Sequence, residues 1–590
     1  MNRKLYETLE RLRESLMADA NAQGVWEGRL SSSPLATAIA IRTLREAGSP
    51  THQEAIEQGE KWVTYHQNKD GGWGDTIRSR SDLTATLLVY CALLGREESL
   101  ESQAKAKEWL AQEMGGFEPD IIVSAVLNKY GDDRTFSAPI LTVCAIAGIL
   151  GDDASAAWRL VPQLPFELAA FPHQLFSLLK LSVVSYALPA LIAIGLVRHR
   201  NRPSRNPLAA WLRNLFTGKL LTALTAMQPE HGGFLEATPL TGFVTISLVH
   251  AGCREHQVTE RGLAFLTDSQ RPDGSWPIDT NLATWLTTLT VSALTVGNDC
   301  SLDAPRKEQI RTWLLEQQFT EVHPFTHASP GGWGWTDLPG AVPDADDTAG
   351  ALLALSKLGE ADEQTLTAVR MGIHWLLDIQ NTDGGFPTFC KGWGRLPFDR
   401  SCPDITAHVL LALVAWKGAV DEKLRTEIAY TVGRGLDYLQ RSQQGDGSWV
   451  PLWFGNERMP ALANPTYGTG TVLAALHQLD EADLHKYDAM ISDATKYLVA
   501  IQNPDGGWGS GPRIKSSLEE TGIATYALAI SDNMRGHGIH RAVNWLCDNR
   551  HVGPAPIGLY FASLWYYEKL YPVIFATRAL AAVDALDGEK

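Results

Sequence analysis

The chain has 590 residues, 45% of them hydrophobic, enough for more than one domain and a large buried core. Its net charge of −16 is spread along the sequence with no basic domain, which argues against a nucleic-acid partner. Seven scattered cysteines without a CxxC pair argue against a disulfide framework or a zinc ribbon and fit a reducing, cytoplasmic compartment.

In chain order, the opening "MNRKLYETLERLRESLM" interleaves charges with apolar positions and predicts an amphipathic helix rather than an export signal. A template then recurs: aromatic, apolar, spacer, Gln, turn, Gly, aromatic. Full copies are "GEKWVTYHQNKDGGWG", "RGLAFLTDSQRPDGSWP", "GIHWLLDIQNTDGGFP", "RGLDYLQRSQQGDGSW" and "TKYLVAIQNPDGGWG". Weaker copies end at Trp26, Phe117, Phe234 and Trp333, and a stretch after Phe117 carries none. Each copy reads as a helix stopped by an Asp-Gly or Gly-Gly turn of positive φ, with the aromatic returning as a plug. Its Gln is placed to bond backbone groups freed at the helix end. After each turn comes a helix that is apolar almost all round, such as "SDLTATLLVYCAL" or "NPTYGTGTVLAAL", whereas the helices before each Gln carry a charged face. Alternating outer and inner helices predict an all-α fold of closed α/α barrels.

The segment "FPHQLFSLLKLSVVSYALPALIAIGLVRHRNRPSRN" holds an apolar run from Leu181 to Val197, followed by Arg198, Arg200, Arg202 and Arg205. With Lys180 at its edge and Pro189 inside, it is poorly suited to span a bilayer. Two readings stay open from the residues: a buried barrel helix, or a monotopic plunge into one leaflet with the arginines at the head groups.

The inner helix "VPDADDTAGALLAL" differs from its sisters. Most begin with Ser, Thr or one acid, as an N-cap requires, but this one begins with Asp344, Asp346 and Asp347. Three carboxylates exceed capping needs. In a poorly solvated site they cannot all ionise cheaply, so one stays protonated and becomes a Brønsted acid. In the next inner helix, "CPDITAHVLLAL", Asp404 and His408 lie four apart on one face. His408 is either a core histidine satisfied by Asp404 or a partner of the acid.

The repeated Q…DGGW/DGSW template together with DADDTA resembles the class II triterpene cyclases with QW repeats, squalene–hopene cyclases among them, over most of the chain. The resemblance implies two α/α barrels with a cavity between them. Residues 1–30 with 282–590 would form the barrel carrying DxDD, and 31–281 a second barrel with a membrane-docking segment near 171–216. It implies Asp346 as the proton donor, Asp344 and Asp347 as assisting carboxylates, and His408, with Asp404, holding the acidic proton towards an alkene. Trp335, Tyr467, Trp285, Tyr560 and Phe561 fall on or beside family cavity positions, where aromatic faces stabilise carbocations. No metal or cofactor is implied: "GDDRTFS" and "GDDASAA" lack the third acid of DDxxD, and no nucleotide fingerprint is present.

Three positions depart from the family pattern: Leu286 stands where an Asp of the acid network is usual, Pro556 near a usual Phe, and "SSSPLATAIAI" lacks a usual Glu. Ring count and product are therefore open. The expected partners are a linear polyprenoid such as squalene, or a prenylated aromatic giving a meroterpenoid, with a membrane surface on its cytoplasmic side docked from 171–205, and a second copy in a homodimer. Two other classes compete. A protein prenyltransferase-like barrel needs an Asp/Cys/His zinc site, and a non-catalytic lipid-binding scaffold has no use for a desolvated strong acid.

Overall fold

The hydrogen bonds of one repeat explain how the array is built. Gln67 donates to Gly71 O at 2.7 Å and to Ser102 O at 3.0 Å. The Trp73 indole N–H returns to Val63 O at 2.7 Å, and its backbone N–H donates to Thr86 Oγ1 at 2.8 Å. One turn thus ties the helix it ends (Gln53–Tyr65) to the next inner helix (Leu83–Leu93) and the next outer helix (Leu100–Met114). Gly71 holds φ +95°, and a Cβ there would stand 2.9 Å from Lys105 O, so both conformation and space require glycine. The same set of bonds recurs from Gln318 to Trp333 and from Gln502 to Trp508. The bond from Gln to the following outer helix was not visible in the sequence template, and it is what links one repeat to the next.

The computed structural model describes residues 3–131, 134–151, 153–170, 188–297, 301–391, 398–479, 485–531, 538–558 and 562–588. These are all-α, with isolated β-bridges and no strands among the described residues. The inner helices Ala283–Leu294, Ala345–Leu355, Pro403–Trp416, Pro465–Leu476, Leu518–Ala529 and Tyr571–Gly588 each pack on the next, and the last returns to the first. A second ring runs through Pro34–Ala47, Leu83–Leu93, Arg134–Ile146, Leu188–Asn201 and Thr238–His250, again closing on its first member. The expected architecture of two α/α barrels holds.

The N-terminal helix Arg3–Ala18 packs against Tyr571–Gly588 of the first ring and against Ile539–Asn549 outside it. The Trp26 backbone N–H accordingly finds Thr287 Oγ1 at 3.1 Å, while Trp276 docks on Thr37 Oγ1 at 3.0 Å. The chain starts on one barrel, builds the other, and comes back.

The described part of the Leu181–Val197 run is the inner helix Leu188–Asn201, whose Ile192, Ala193, Ile194, Leu196 and Val197 are buried against barrel neighbours. Residues 171–187 lie outside the described residues. Among the described residues no helix is long and apolar enough to cross a membrane.

Candidate active site

The DADD turn is locked at its backbone before its side chains do anything. Asp344 caps the Ala345–Leu355 helix, its Oδ1 accepting from Asp347 N at 2.8 Å. Its own N–H donates to Trp333 O at 2.9 Å, and Ala345 N donates to Thr388 O at 2.7 Å. Asp344 and Asp347 are consumed or enclosed by this turn, with 3% and 5% exposure, and Asp347 Oδ1 has no partner. Asp346 projects differently. Its Oδ1 lies 2.6 Å from His408 Nδ1, and both side chains keep part of their surface open to internal space.

His408 therefore pairs across to Asp346 and not with Asp404 one turn before it. The Asp404 carboxyl instead accepts from the Cys402 thiol at 2.7 Å. Burial pushes Asp344 up to about 7 and Asp404 up to about 6. Burial and the neighbouring Asp344 drive Asp347 well above the carboxylate range. The crowding that the sequence showed is thus relieved by keeping flanking carboxyls protonated.

Two cavities meet at Asp346. One, of ≈ 390 Å³, lies between the barrels and is walled by side chains of both, including Leu88 and Phe243 on one side and Trp285, Trp335 and Phe454 on the other. The second, of ≈ 370 Å³, is the lumen of the DADD barrel. Asp346, Asp404 and His408 border it at one end, and Lys357, Gln478 and Arg578 also line it. The wall of the first cavity is aromatic: Trp285 stacks on Phe454 at 6.4 Å, and Phe454 on Tyr467 at 4.4 Å. Trp335 meets Phe389 edge-on at 6.3 Å, and Phe389 meets Trp453 at 5.4 Å. Trp285 also stands edge-on to His408 at 6.3 Å and donates its indole N–H to Tyr571 OH at 3.0 Å. Such faces stabilise a cation without offering it a nucleophile.

The profile described as "Squalene-hopene cyclase C-terminal domain" matches residues 282–555, and "Squalene-hopene cyclase N-terminal domain" matches 9–124. The chain belongs to the squalene-hopene cyclase family. It is a class II terpene cyclase. The cyclase is 23% identical to a probable squalene–hopene cyclase of Sinorhizobium fredii, over 90% of this chain and 88% of that one. Its identity to the squalene–hopene cyclase of Alicyclobacillus acidocaldarius is 24%, over 80% and 78%. In fold it resembles the ent-copalyl diphosphate synthase of Streptomyces platensis, with a TM-score of 0.54 and 20% identity over 99% of each chain.

Of the aromatic residues singled out from sequence, Trp285 and Trp335 line the inter-barrel cavity of the cyclase, and Trp285 and Tyr467 line the lumen. Tyr560 and Phe561 lie outside the described residues. Their stretch nevertheless supplies Tyr566 and Tyr571 to the cavity, with hydroxyls 3.2 Å apart. Sequence reasoning missed these two, together with Phe389, Phe398, Trp453 and Phe454. The only available signal was aromatic density after the turns. Leu286 is buried against Gly28, and Pro556 is buried without lining the cavity.

Also missed was Asp279, a cavity-lining carboxyl that burial and the charge of Glu236 hold well above the carboxylate range. Next to it, Leu235 and Glu236 hold φ of 53° and 57°, left-handed conformations that cost non-glycine residues about 1–3 kcal/mol each.

Proposed function

We infer that the cyclase acts on an uncharged linear polyprenoid such as squalene, with Asp346 protonating a terminal alkene. The observation that carries this is the 2.6 Å contact of Asp346 Oδ1 with His408 Nδ1 at the edge of an aromatic-lined apolar cavity. With His408 donating to Oδ1, the acidic proton is left on Oδ2, and the fixed orientation is part of the catalysis. Asp347 stays neutral beside it, as does Asp344 below about pH 7, so the site carries fewer anions that would hold the proton back. Trp285 and Trp335 then face the travelling cation. The lumen, with Lys357, Gln478 and Arg578 on its wall, offers a path by which water returns a proton to Asp346.

An uncharged substrate is favoured over a diphosphate because no Lys or Arg is among the described residues lining the inter-barrel cavity. Incubation with squalene, geranylgeranyl diphosphate and a prenylated aromatic, followed by gas chromatography and mass spectrometry, tests this. Squalene is expected to yield a cyclised isomer. Cyclisation of the diphosphate alone would overturn the substrate assignment, and cyclisation of none would overturn the enzyme's placement. Residues 1–30 with 282–590 and residues 31–281 serve in this proposal as the two barrels that enclose the substrate, consistent with Trp26 docking on Thr287.

A water-insoluble substrate is best taken from a bilayer. The helix Pro207–Met227 presents Leu208, Trp211 and Leu215 outward at 63%, 58% and 58% exposure, with Arg200 and Arg205 exposed just before it. Apolar side chains beside exposed cations suit a monotopic contact with an anionic leaflet. The cyclase is expected to float with phosphatidylglycerol vesicles in a density gradient, and Leu208→Ser, Trp211→Ser, Leu215→Ser together should release it. Unchanged flotation of the triple variant would remove this face from the proposal.

A further inference from the structure

A cation cascade begun by one acid must be ended by another group, which either removes a proton or directs water to the last cation. Among the described residues that line the inter-barrel cavity, Asp279 is the one carboxyl outside the DADD turn. Its backbone pairs with Ala237, which sets the residue on the cavity wall. Its Oδ1 is buried without an aligned hydrogen bond, and the Trp335 indole N–H faces its carboxyl.

Behind Asp279 lies Glu236, fully buried, with Oε1 accepting from Gly340 N at 2.7 Å. His231 Nε2 stands 2.8 Å from that same oxygen. The strained backbone at Leu235 and Glu236 holds this carboxyl between the cavity wall and the surface.

The geometry points to Asp279 as the proton acceptor that ends the cascade and releases the product as an alkene. This rests on the cyclase function proposed above. In the step, a C–H bond next to the cationic carbon breaks and its electron pair becomes the new C=C π bond. The proton bonds to Asp279 Oδ1 while the carboxyl's own proton leaves its other oxygen to water. Asp346 has given one proton and Asp279 has taken one, so substrate and product are isomers. Because burial and Glu236 keep Asp279 protonated, the cation meets a neutral carboxyl; a carboxylate there would be alkylated to an ester.

The test compares the product ratio of the full-length wild type with those of Asp279→Leu, Asp279→Asn and Glu236→Gln, using squalene as probe and circular dichroism to check folding. In Asp279→Leu the wild-type alkene should fall at least about fivefold as a share of product. Alcohols from water capture, or alkenes with the double bond elsewhere, replace it. Glu236→Gln should shift the ratio the same way by less. Asp279→Asn keeps the shape of the cavity wall while removing the acceptor, so a shift shared by Asp279→Asn and Asp279→Leu separates proton removal from a change of shape. Folded Asp279→Leu and Asp279→Asn proteins with the wild-type ratio overturn the assignment, as does a wild type that releases only alcohol. A wild type that cyclises nothing overturns the cyclase function itself, which separates the two failures.

Discussion

Asp346→Asn is expected to abolish cyclisation and leave the fold intact. A positioned general acid contributes about 10²–10⁴-fold, and an alkene does not take a proton from neutral water on the timescale of turnover, so product should fall below detection. The structure says why the fold survives. Asp346 takes no part in capping, which Asp344 performs, and the isosteric amide still offers an oxygen to His408 Nδ1. Melting temperature should therefore move little, a stability change within about 0.5 kcal/mol. Asp344→Asn is the contrasting case, since Asn caps a helix as well as Asp does and the proton donor remains. It should retain measurable turnover. Squalene conversion and thermal unfolding of the two variants side by side separate the acid from the cap. Turnover surviving in Asp346→Asn would mean that the proton comes from elsewhere.

The parts of this site that were legible in sequence are those written in local spacing. The repeat announces itself because each copy must carry the same Gln, turn and aromatic to make the same bonds, and DADD stands out because its sister helices carry one cap where it carries three acids. The pairing of His408 was only half legible. Spacing allowed Asp404 four residues before it, and only the packing of the Ala345–Leu355 helix against Pro403–Trp416 shows Asp346, 62 residues away, taking that bond. Asp279, Phe454 and Tyr571 were not legible. They reach the cavity from turns and from a helix start where two barrels face each other, and no periodicity governs those places. The run ending in Leu188–Asn201 shows a further limit. A helix wrapped on all sides by protein and one wrapped by lipid have the same all-round apolar pattern, so hydropathy alone cannot tell them apart.

The second large effect concerns the support of the acid. His408→Ala is expected to lower kcat about 10–100-fold with KM little changed, the size of one hydrogen bond to a charged group. Without Nδ1 at 2.6 Å, the Asp346 carboxyl is free to turn its proton away from the cavity and its anion is less stabilised after transfer. The same anion also senses its neighbours. Asp404 titrates at about 6 and Asp344 at about 7, both raised by burial. As pH rises through that window each gains a negative charge near Asp346, which makes its proton harder to give up, so wild-type kcat should decline between about pH 6 and 8. Stability follows the same sign. These acids hold protons more tightly folded than unfolded, so the stability they contribute is complete below their ordinary range near 4 and is lost as pH climbs through 6 to 7. Asp344→Asn removes one of the titrating charges and should flatten the upper part of the kcat profile, whereas His408→Ala should lower the whole curve and keep its shape. A wild-type profile that stays level from pH 6 to 8 would show that the flanking carboxyls do not act on Asp346 through their charge, and would leave the His408 contact as the sole support of the acid.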